Sequence, residues 1–140
     1  MGTDYGVVNT LGLMVHFSPE LCARLKELYE LLCGPCATTQ YEQEMLREIL
    51  EDDRYSGLVG HIFMPVEHET LSPTYLCVGA PLGDTNESGS RYERHFLDPE
   101  LLTRLPDLLE AYKPKLLRLA ADLDIEEPKL GYYSSAVLMF

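Results

Sequence analysis

The sequence predicts an α+β domain: a mostly antiparallel sheet of four or five strands, with helices packed on one face. Three observations carry that expectation. Short runs rich in β-branched and aromatic residues alternate with longer stretches whose leucines recur at helical spacing. Two of the helical stretches open on a capping residue followed by Pro-Glu, a local start signal for a helix. The elements fall in the order strand, helix pair, strand, strand, helix, strand, so both types are mixed along the chain. With 140 residues, 46% of them hydrophobic, one domain over 1–140 can hide roughly two thirds of its unfolded surface. Neither a disulfide nor a metal is needed to explain folding.

Residues 7–17 (VVNTLGLMVHF) read as the first strand, with Gly12 marking a bend or bulge. Ser18-Pro19-Glu20 starts a helix: the serine caps a free amide, the proline suits the first helical position, and the glutamate complements the helix dipole. Leu21, Leu25, Leu28 and Leu32 form its apolar stripe, and Gly34-Pro35 stops it. Thr39 and Glu42 have capping-box spacing, so a second helix is expected there, burying Tyr41, Met45, Leu46, Ile49 and Leu50.

Residues 58–66 (LVGHIFMPV) and 75–78 (YLCV) read as two strands of an antiparallel hairpin. The glycine-rich stretch 79–90 has no periodicity and reads as a loop, and 91–96 as a short edge strand or more loop. Asp98-Pro99-Glu100 opens the last helix, lined by Leu101, Leu102, Leu105, Leu108, Leu109 and Tyr112 and continued by Leu116, Leu117 and Leu119. Pro106 and Pro114 each remove a backbone donor, which predicts a kinked or split helix. Residues 132–140 (YYSSAVLMF) read as the final strand. In this order the elements resemble the ferredoxin-like split β-α-β arrangement, with an extra helix in the first crossover. That fold hosts enzymes, carriers, sensors and interaction modules alike, so function has to come from side chains.

The sharpest motif is Cys33-Gly34-Pro35-Cys36. It resembles the redox dithiol of thioredoxin-like proteins, whose first sulfur sits at a helix N-terminus that favours the thiolate. Pro73-Thr74-Tyr75-Leu76 is similar to the proline segment beside that dithiol. The resemblance implies thiol-disulfide exchange by Cys33 and Cys36. The sequence departs from that pattern, because a whole helix rather than a strand precedes the dithiol, and Leu32 stands where an aromatic residue is usual. The competing reading is a helix–helix turn flanked by cysteines that act as small hydrophobes.

No metal site is expected: Cys33 and Cys36 are the one close cysteine pair, and Cys22, Cys77, His61, His68 and Glu69 add no recognised ligand spacing. No cofactor motif is present, since the glycines of 79–89 lack both the spacing and the lysine of a phosphate loop. His61 reads as a core residue, and His68 lies between two glutamates in a turn.

Charge is the strongest global signal. Twenty-three acidic side chains against 11 basic ones give a formal net charge of −12. Such a surface repels phosphate backbones and anionic membranes. No apolar run approaches the roughly 20 residues of a membrane span, and residues 1–6 lack the basic region of a secretion signal, so the cytosol is the expected compartment. Glu42, Glu44, Glu48, Glu51, Asp52 and Asp53 concentrate acid within 12 residues. The expected function is therefore non-enzymatic: an acidic protein that inhibits or neutralises a basic protein partner, as bacterial immunity proteins and phage-encoded inhibitors do, through Glu44, Glu48, Glu51, Asp52 and Asp53. The alternatives are the thiol-disulfide protein using Cys33 and Cys36, and a small-molecule sensor binding in the cleft between sheet and helices.

Overall fold

The computed structural model describes residues 4–35, 41–63, 74–82 and 99–139, with side chains over 8–35, 41–63, 74–82 and 99–134. The described elements run β1 (Asp4–His16), α1 (Pro19–Cys33), α2 (Glu42–Ile49), β2 (Val59–Phe63), β3 (Tyr75–Gly79), α3 (Pro99–Asp122) and β4 (Leu130–Met139). The strand order is β2-β3-β1-β4, and every neighbouring pair is antiparallel. This is the α+β class, with one four-stranded sheet and three helices among the described residues. The expected edge strand at 91–96 lies outside the described residues.

Strand alternation divides the sheet into two faces. Leu13, Leu76 and Val78 point to the helices, where they meet Leu21, Leu25 and Leu28 of α1, Met45, Leu46 and Ile49 of α2, and Leu116 and Leu119 of α3. Each of these leucines contributes roughly 1.5–3 kcal/mol on leaving water. The first half of α3 covers a second cluster around Leu11, Ala80 and Leu82, which Leu105, Leu108 and Leu109 join. The opposite face carries Val8, Phe63 and Cys77, with Met14 and Tyr75 against them.

The helix ends follow local chemistry. The Ser18 hydroxyl accepts from the Leu21 amide at 3.1 Å, and Gly34 closes α1 with φ 97°. α3 ends in a Schellman turn: the Ile125 amide donates to the Ala120 carbonyl at 2.8 Å and the Asp124 amide to Ala121 at 3.1 Å. Asp124 takes the left-handed position (φ 55°) that glycine usually fills.

Several expectations need correction. β1 runs through Gly12 without a bulge, in continuous register with both neighbours. The glycine is needed because a Cβ there would lie 2.2 Å from the Val78 carbonyl oxygen of β3. α2 begins at Glu42 with Tyr41 as its N-cap and no side-chain cap bond, later than the Thr39 start that the capping-box spacing suggested. Tyr41 is consequently outside the helix and 71% exposed rather than buried. α3 is one helix and is not split at Pro106 or Pro114. Both prolines are exposed, and on the solvent side water can satisfy the carbonyls they free. Leu102 and Leu117 are exposed, off the buried stripe that Leu105, Leu109, Leu116 and Leu119 follow.

Candidate functional site

The acids picked out from sequence converge on one end of the molecule, at the β2 side of the sheet. Glu44, Glu48 and Glu51 recur at helical spacing along the outer side of α2 and its continuation, and all three are exposed. The buried side of the same helix, Met45, Leu46 and Ile49, locks it to the core. Asp53 is exposed on the following turn. Asp52 is half-buried and works inside the turn: its carboxylate accepts from the Arg54 amide at 3.0 Å and faces the Arg54 guanidinium at 3.7 Å.

That turn is fastened to α3 at three successive residues. The buried Tyr55 hydroxyl donates to the Asp122 carboxylate, which also pairs with Arg118 at 3.1 Å. The Lys115 ammonium donates to the Ser56 carbonyl at 2.5 Å and contacts its hydroxyl at 3.2 Å. Gly57, with φ 94°, lies under Tyr112, whose ring would be 3.0 Å from any Cβ placed there. Burial, and the carboxylate it donates to, push the Tyr55 phenol up to about 12. Asp52 and Asp53 thus lie beside a turn that is fastened to α3 by hydrogen bonds at Tyr55 and Ser56.

The edge of the sheet beneath α2 is closed by a residue that the sequence reading passed over. Gln43 donates from Nε2 to the Gly60 carbonyl at 3.2 Å and accepts at Oε1 from the Ile62 amide at 2.7 Å. Its side-chain amide takes the place of a neighbouring strand's peptide at the outer edge of β2. Tyr55, Lys115 and Asp122 were missed for a similar reason. They meet across 59 and 67 residues of sequence, and nothing local marks them.

Cys33 is exposed at the last residue of α1, at the negative end of that helix. Partial burial, then Glu48, Asp52 and Glu51, push its thiol up. This is the reverse of the positive helix N-terminus that activates a thioredoxin-like sulfur. Cys36 lies outside the described residues. Cys22, three helical turns and about 16 Å before Cys33, donates to the Glu42 carboxylate at 3.8 Å. Cys77 is buried on the far face of the sheet, and desolvation pushes it up to about 11.

No group of three or more metal-ligating side chains forms among the described residues. His16 is exposed and edge-on to Tyr75, with ring centroids 6.0 Å apart. Two shallow clefts of about 340 and 390 Å³ flank α1, and they share Arg24 and Asp124. Arg24 is already engaged there, donating to the Asp124 carbonyl at 3.2 Å and facing its carboxylate at 3.8 Å. No described helix is long and apolar enough to cross a membrane. Comparison with protein-family models, with curated proteins and with solved structures finds no match to this chain.

Proposed function

We propose that this chain is a non-enzymatic acidic binding protein whose α2 face engages a basic protein partner and neutralises or inhibits it. The observation that carries the reading is the exposure of Glu44, Glu48, Glu51 and Asp53 on a helix seated on the core and on the turn after it, which α3 fastens. Acids on a fixed frame steer a basic partner into encounter and disfavour acidic competitors. The same charge opposes contact with nucleic acid or an anionic membrane, and we place the protein in the cytosol with its partner.

The fold reading that accompanies this proposal is a single domain over 1–140 of the ferredoxin-like, split β-α-β kind. It is supported by β3 lying between β1 and β2, and β1 between β3 and β4, with helices in both crossovers. The thiol-disulfide reading is disfavoured by the acids around Cys33.

The test is capture from native lysate with elution along a salt gradient, comparing the wild type with a variant carrying Glu44→Lys, Glu48→Lys and Glu51→Lys. A stoichiometric basic protein, held by the wild type and lost by the variant, is the expected result. Equal retention by both would reduce the acidic face to a solubility device.

A further inference from the structure

The outer edge of β4 carries an interaction surface of a different kind. β1 and β4 pair over ten residues, and the Leu11 carbonyl accepts from the Ala80 amide, so the backbone groups of Leu11 point toward β3. Leu11 is opposite Tyr132, and pairing groups alternate along an antiparallel ladder. The amides and carbonyls of Leu130, Tyr132, Ser134, Ala136 and Leu138 therefore face away from β1. No described strand lies on that side. Tyr132 is 40% exposed and Ser134 is exposed as well. By contrast, where β1 extends beyond β3, its Val8, Asn9 and Thr10 are buried.

Natural edges are blunted by charge, proline, bulges or short length. Residues 130–140 have no charged residue and no proline. We propose that β4 pairs antiparallel with β4 of a second copy across a two-fold axis, joining the two sheets into one.

Three features select a second copy as the occupant. A strand pairing antiparallel with itself is self-complementary and closes at two. The edges left outermost in the dimer are the two β2 strands, each capped by Gln43 at the Gly60 carbonyl and the Ile62 amide, which disfavours further growth. The geometry also suits a chain of charge −12, since contact is made along an uncharged strip. The two β2 strands, with their acidic α2 faces, end up about seven strand spacings or roughly 34 Å apart, beyond a Debye length of about 8 Å.

The test is sedimentation velocity over a concentration series, independent of any basic partner. The wild type should shift from monomer to dimer with concentration and stop there. Ala136→Pro removes an outward amide without touching the β1 ladder, and Ser134→Lys puts a charge on the uncharged strip of each copy, at the cost of the Ser134 hydroxyl's bond to Asn9. Both should remain monomeric with the wild-type far-ultraviolet spectrum. A wild type that stays monomeric throughout overturns the proposal, whether or not it binds an added extended peptide. So does association of both variants at the wild-type level.

Discussion

The two outer strands of the sheet are handled differently by the rest of the chain. β2 is five residues long, lies beneath α2, and has one outward carbonyl, of Gly60, and one outward amide, of Ile62, taken up by Gln43. β4 is ten residues long, uncharged, and meets only β1 among the described strands. The helix that guards β2 also bears the acidic face. One edge is thus capped by a side chain beside charged residues, and the other is neutral and faces no further strand among the described residues. Under the two proposals made above, the charged surface lies at one side of the sheet and the strand pairing at the other, so the two contacts do not compete.

The largest expected effect comes from breaking the sealed side at its core. Leu46 is fully buried between α2 and β2, where its side chain would be 2.9 Å from a Cβ at Gly60. Leu46→Ala should cost about 2–5 kcal/mol in urea unfolding. A loss below about 1 kcal/mol would mean that α2 is not firmly seated.

Next comes the clamp on the turn. Tyr55→Phe leaves the Asp122 carboxylate without its phenol donor and should cost about 1–3 kcal/mol. It should also change the pH profile. The unfolded phenol ionises near pH 10 and the folded one near 12, so the wild type loses stability as pH rises through that window while the unfolded chain releases its proton first. Thermal melts of Tyr55→Phe should be flatter across that range. An unchanged alkaline slope would place the loss elsewhere.

A smaller cost, about 1 kcal/mol, is expected for Gln43→Ala, because water can reach the exposed edge of β2. Its sharper consequence is in assembly. If β4 pairs as proposed, uncapping β2 should carry association past the dimer into larger species visible by light scattering. A variant that stops at the wild-type size would show that Gln43 does not limit growth.

The smallest stability change per site, within about 0.5 kcal/mol, is expected for the combined Glu44→Lys, Glu48→Lys and Glu51→Lys variant. Glu48 and Glu51 lie at the negative end of α2, where lysine is the better tolerated charge. A large loss of stability would make these acids structural.

Much of this arrangement was legible in the sequence. The capping signals of Ser18-Pro19-Glu20, the leucine stripes and the apolar strands located all seven elements, because each signal is local. The alternation of Glu44, Glu48 and Glu51 with Met45, Leu46 and Ile49 likewise gave the acidic face its direction. The Tyr55–Asp122 clamp and the Gln43 cover were not legible, since each depends on which distant strand or helix the fold brings alongside. Gly12 was visible but misread: a bulge and a close strand approach leave the same residue in the sequence. The helix before Cys33 was legible as well: the leucine stripe ended by Gly34-Pro35 set Cys33 at the end of α1, where the structure has it.

The most direct test of the account is one parallel capture experiment with the wild type, the triple lysine variant and Ala136→Pro. The account predicts that the wild type and Ala136→Pro retain the same basic protein at physiological salt, and that the lysine variant retains none. Retention of that protein by the lysine variant would contradict it.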